Sequence, residues 1–190
     1  MGNPLRDRRT PSELAARGQL IEFSEKIGDF EQLAAIVESD LEALDPDKLP
    51  SDWRNATVYG QLAFGFAAAH GGLHPTGLWP AVEGRVAVTV DAVCQRCLEP
   101  FQLPLVTELR LVFGGDQAAA VEDAGYEVWE VEQDQFRPMD LVTEALVMAM
   151  PLAATHIDNA VCHEPEALEE DSGDRIRPFA ALKSQMGKDD

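Results

Sequence analysis

Residues 85–113 read RVAVTVDAVCQRCLEPFQLPLVTELRLVF. From Arg85 to Val93 and again from Leu103 to Phe113, β-branched and other apolar residues alternate with polar or small ones. That period of two is the pattern of strands with one buried face. Between the runs stand Cys94, Cys97, Leu98, Glu99 and Pro100. The stretch therefore predicts a hairpin with a Cys-x-x-Cys pair at its connection. Pro104 lacks a backbone donor, which confines it to the start of its strand or to a sheet edge.

On the N-terminal side, FEQLAAIVESDLEAL (Phe30 to Leu44) repeats apolar residues at helical spacing and stops before Asp45-Pro46. Asp52 to Phe66 turns to strand chemistry through Val58, Leu62, Phe64 and Phe66, and His70 to Gly77 is a loop punctuated by Gly and Pro. On the C-terminal side, Gly114 to Gly125 is small and acidic, and Glu127 to Val131 is a short strand. Asp140 is placed to cap an apolar helix of Leu141, Val142, Ala145, Leu146, Met148 and Ala149, which Pro151 ends. Ala154 to Asp174 is polar, acidic and irregular.

Helix, strands, helix and tail in that order predict an α+β fold. The sheet is mostly antiparallel, open or closed into a barrel, with a few helices and flexible N- and C-terminal segments. The expected organisation is a flexible basic segment at 1–24, one α+β domain at 25–162, and an acidic linker with a short C-terminal motif at 163–190.

The 190 residues carry 34 acidic and 15 basic side chains, a net charge of −19. From Leu111 to Asp171 there are 15 Asp or Glu and one basic residue, Arg137, whereas Met1 to Leu20 is slightly basic. Affinity for nucleic acid comes largely from neutralised phosphates, so most of this surface repels RNA. The acidic half suits a basic protein partner, because opposite fields speed encounter. No run of about 18 apolar residues predicts a membrane span. The N-terminus lacks the apolar core of a secretory signal. Three cysteines suit a reducing cytoplasm better than a disulfide framework.

The cysteine pair admits three readings. A redox pair opens a helix in a βαβ unit, where the helix dipole activates the first thiol; here strands stand on both sides. A zinc site needs two further donors. Cys162 is the only other cysteine, with His156 six residues before it and His163 beside it; His70 and His74 lie in the Gly-rich loop. Cys94, Cys97, His156 and Cys162 would make a Cys₃His set. The third reading is two incidental thiols at a tight turn. Asp140 and Glu144 share a helix face, but no nucleophile accompanies them.

Three ordered blocks resemble one family. VCQRCLEPF (Val93 to Phe101), MDLVTEALVMAMPLAATHIDNAVC (Met139 to Cys162) and RPFAALKSQM (Arg177 to Met186) are similar to the YceD family, the large ribosomal RNA subunit accumulation proteins. The resemblance covers about Arg85 to Met186. It implies a bacterial cytoplasmic factor needed for synthesis, processing or stability of 23S rRNA, with no catalytic reaction assigned. Some members carry further cysteines that complete a four-cysteine zinc site. This chain has only Cys162 there, so a bound zinc would take His156 or His163 as its fourth donor.

The expected function is thus a non-catalytic ribosome-biogenesis factor. Its partners would be pre-50S particles and 23S rRNA, directly or indirectly, or a basic ribosomal or assembly protein, without membrane or small-molecule substrate. Arg96, Arg177, Pro178, Phe179, Leu182 and Lys183 are the expected interaction residues; the tail motif reads as a docking peptide that also carries positive charge. The alternatives are an acidic chaperone for one basic ribosomal protein, and a zinc- or thiol-dependent enzyme.

Overall fold

The computed structural model of the chain describes residues 3–68, 77–114, 125–131, 134–156 and 162. In chain order these form α1 (Pro11–Ala16), β1 (Leu20–Lys26), α2 (Glu31–Leu41), β2 (Thr57–Ala68), β3 (Leu78–Val93), β4 (Pro100–Phe113), β5 (Glu127–Trp129) and α3 (Pro138–Ala149). The strands make one sheet in the order β1-β2-β3-β4-β5. The first three pairings are antiparallel, while β5 runs parallel to β4 over three residues. The sheet is open rather than a barrel, so the expected α+β class with a mostly antiparallel sheet holds.

The predicted hairpin is β3–β4, in register Val82↔Leu111, Val86↔Thr107, Val88↔Leu105 and Val90↔Leu103. Alternation sends those valines and leucines to one face, where α2 adds Leu33, Val37 and Leu41 and α3 adds Leu141, Val142 and Leu146. Each fully buried side chain of this size contributes about 1.5–3 kcal/mol. At one end of the core Phe64, Phe113, Phe136 and Trp129 form an aromatic group, with Phe113 and Phe136 centred 4.9 Å apart. Close strand contact shows at Gly84, where a Cβ would sit 2.5 Å from the Gln61 carbonyl oxygen and 2.8 Å from the Leu62 side chain.

Three local outcomes differ from expectation. Residues 3–24, expected to be flexible, contain α1 and the first residues of β1, and bury Leu5, Leu14 and Ile21. The Thr10 side chain accepts the Glu13 N–H to cap α1, with Pro11 next in line. Asp140 is not the cap of α3. That helix starts at Pro138, after Arg137 in extended conformation, because proline is pre-set for a first helical position. Asp140 lies in the first turn and receives the Arg137 guanidinium at 2.8 Å. Lastly, β3 and β4 reach beyond their predicted starts, to Leu78 and Pro100. Among the described residues no helix is long and apolar enough to cross a membrane.

Candidate metal centre

Strand β3 ends at Val93, and its N–H is held at 2.8 Å by Asp40 Oδ2 from the end of α2. The next six residues make a tight knuckle. Cys94 N–H donates to the Glu99 carbonyl at 3.0 Å, and Leu98 N–H donates to the Cys94 carbonyl at 2.8 Å. To close this turn Leu98 adopts φ 60°, the left-handed region that costs an L-residue about 1–2 kcal/mol. Lys48 Nζ clasps Glu99 from outside at 2.5 Å.

The chain leaving α3 returns to this knuckle. Gln95 N–H donates to the Ala154 carbonyl at 2.8 Å. Two residues on, the His156 ring lies against Phe101, with centroids 4.8 Å apart and planes inclined at 41°. Cys162 completes the group. Cys94 Sγ lies 3.7 Å from Cys162 Sγ, and Cys97 Sγ lies 3.7 Å from His156 Nδ1. All four donor atoms lie within 4.8 Å of one another. Cys94 is buried; the other two cysteines and His156 are half-buried.

These separations can be set against an ion. Zn–S bonds of about 2.3 Å and Zn–N bonds of about 2.0–2.1 Å in a tetrahedron give edges of about 3.8 Å between sulfurs and about 3.6 Å from sulfur to nitrogen. The two 3.7 Å separations match those edges. No pair exceeds the ideal by more than about 1 Å. The residues present therefore fit a tetrahedral soft-metal ion, which would hold the β3–β4 knuckle to the chain beyond α3.

The electrostatics favour a thiolate at the centre. Burial works against ionisation of Cys94. Backbone N–H groups of Cys97, Arg96 and His156, and the Cys97 thiol, nevertheless donate to its sulfur and bring its pKa from 9.0 down to about 5. Cys162 moves the other way, up to about 11, through burial and then through its neighbours Cys97 and Cys94.

The structure thus brings Cys94, Cys97, His156 and Cys162 together. Arg96 is exposed on the knuckle, and its N–H serves the cluster. Arg177, Pro178, Phe179, Leu182 and Lys183 lie outside the described residues, as do His70, His74 and His163. Sequence reasoning missed the N–H donors to Cys94, the Ala154 anchor and the Phe101–His156 contact. Only the aromatic beside the Cys pair left a signal.

A family model described as "Large ribosomal RNA subunit accumulation protein YceD" matches residues 82–184. That interval contains β4, α3 and all four donors. A curated protein of that same name from Haemophilus influenzae is 32% identical over 118 residues, which cover 56% of this chain and 66% of that protein. The chain therefore aligns with just under two thirds of this relative's length. No solved structure matches.

Proposed function

The chain belongs to the YceD family of large ribosomal RNA subunit accumulation proteins, and on that premise we propose that it is a non-catalytic ribosome-biogenesis factor. It acts in the cytoplasm in the synthesis, processing or stability of 23S rRNA, in association with pre-50S particles. The family match over residues 82–184 carries this reading, because it spans the whole candidate centre.

Two physical features support it. Four protein donors converge on one point. A tetrahedral ion with four protein ligands is closed, whereas catalytic zinc keeps a position open for water or substrate. We assign zinc to Cys94, Cys97, His156 and Cys162, since thiolates and imidazole are the donors it prefers. When bound, zinc supplies a cross-link between two chain segments. The net charge of −19 then favours contact with the assembling subunit through a basic protein rather than a broad grip on RNA.

The same charge supports a second reading, in which the chain is an acidic chaperone for one basic ribosomal protein and affects rRNA indirectly. The deciding experiment is co-sedimentation of tagged protein with ribosomal particles from lysate, with and without nuclease, with partners read by mass spectrometry. Travel with large-subunit precursors supports the assembly-factor reading. A light complex with one basic protein that survives nuclease replaces it with the chaperone. Trimming of precursor rRNA by the purified protein, abolished by Cys94→Ser, would refute the non-catalytic assignment.

A further inference from the structure

Strand β4 has 14 residues, but β5 pairs with only its last three, Leu111 to Phe113. Among the described residues, no backbone group pairs with the outer edge of β4 from Pro100 to Arg110. The row that β5 occupies is interrupted just before it by Gly125 at φ 78°, a conformation no strand continues. Among the described residues no sixth strand stands there, and a trough of about 730 Å³ lies between β4, β5 and α3.

Resting on the reading of an acidic factor with a basic partner, we propose that this trough receives an extended lysine- or arginine-rich segment of that partner, added to β4 as an edge strand. Part of the lining is apolar. Leu109 comes from β4 and Ala145 from α3, and Met148 stands 79% exposed beside them. Apolar side chains alternating along an added strand would cover Met148, while main-chain hydrogen bonds give the affinity of strand addition. An edge this long is a pairing template unless it is blocked. Pro100 and Pro104 have no N–H, and Pro104 sets the lower limit of pairing. Leu105 to Arg110 leaves room for about six residues, roughly 20 Å.

Charge selects the occupant. Glu108, Glu127, Glu130 and Glu144 line the trough, and none forms an ion pair with a described residue. Arg110, the cation among the lining residues, is turned to Glu83 at 3.7 Å and lies over the Tyr126 ring. A second copy of this chain, itself at −19, is repelled by the same carboxylates. A cationic strand is drawn in and neutralises them.

The test uses a fluorescent peptide of alternating lysine and valine, read by anisotropy with the full-length protein. Two controls are a glutamate–valine peptide and a fully N-methylated lysine–valine peptide, which keeps its charge but donates no main-chain hydrogen bond. Binding only by the first peptide, weakened about tenfold or more by Glu108→Lys with Glu144→Lys, is the expected result; circular dichroism checks that this variant is folded. Equal binding of the N-methylated peptide overturns strand addition, and no binding overturns the site. Co-sedimentation keeps the two failures apart. Protein that travels with large-subunit precursors but ignores the peptide loses only the trough; protein that binds the peptide but never sediments loses only the assembly reading.

Discussion

His156→Ala removes the one nitrogen donor from a set otherwise made of sulfur. Structural zinc in small domains is worth about 10–16 kcal/mol, so each of four donors carries roughly 3 kcal/mol on average. Water can take the vacated position and return part of this, which leaves an expected loss of zinc affinity between about 10- and 100-fold. The 3.7 Å spacing around Cys97 and His156 is also close to the sulfur–sulfur edge of about 3.8 Å. His156→Cys should therefore restore tight binding where His156→Ala does not. The assay is competition for one equivalent of zinc against a chromophoric chelator. Cobalt substitution reports the donor set through its thiolate charge-transfer bands. Wild-type affinity in His156→Ala, or a wild-type chain that cannot compete for zinc at all, refutes the four-donor assignment.

Three further outcomes follow from the same region. Asp40→Ala leaves the Val93 N–H, in a residue 1% exposed, without its partner. That should cost about 1–3 kcal/mol in urea unfolding, and an unchanged midpoint would show that the contact is idle. Leu98→Gly removes left-handed strain of about 1–2 kcal/mol against a glycine entropy cost of about 0.5–1 kcal/mol, and Leu98 is 62% exposed. A small gain in thermal stability is expected; a loss would mean that the leucine side chain packs usefully. Cys94 and Cys162 also make the metal-free protein pH-dependent. With its folded pKa lowered from 9.0 to about 5, Cys94 contributes stability that is fully present above pH 9 and lost as pH falls through 5. Cys162, raised to about 11, contributes stability present below pH 9 and lost as pH rises through 11. Urea midpoints in chelator should fall from pH 8 to pH 5 more steeply in wild type than in Cys94→Ala, and parallel curves would contradict the lowered pKa.

The hairpin was legible because Val86, Val88 and Val90, and then Leu103, Leu105, Leu109 and Leu111, fall in one alternating phase of each run. Helices α2 and α3 were legible because their apolar residues recur at helical spacing. Strand β1 carries a similar code, with Ile21 and Phe23 inward between Glu22 and Ser24, but two apolar residues are too short a repeat to specify a strand. The parallel pairing of β5 had no local signal, since three residues specify neither partner nor direction. For the candidate centre, residue types and spacing selected the four donors as one of several open combinations. What joins them is backbone geometry, namely the turn at Leu98 and the Gln95–Ala154 hydrogen bond. Neither depends on a distinctive side chain. A glycine at position 98 would have announced the turn; leucine conceals it.

Helix α3 lines the trough along its length and leads into the segment that carries His156, so loss of metal would disturb both if the helix depended on it. Magnitudes decide against this. Leu141, Val142 and Leu146 of α3 are fully buried in the main core and together contribute at least about 5 kcal/mol. Beyond Met150 the balance reverses. Pro151, Leu152 and Ala153 are exposed, and before His156 the Gln95–Ala154 hydrogen bond, worth about 1 kcal/mol, ties the segment to the knuckle. That does not offset the entropy of ordering six residues at about 1–2 kcal/mol each. The segment needs the donor cluster, and the helix does not. Chelation should accordingly release residues 151–156 to hydrogen exchange while α3, the sheet and lysine–valine peptide binding persist. Cooperative melting of α3 on metal removal would mean that the core contacts of Leu141 and Leu146 are worth far less than their burial implies.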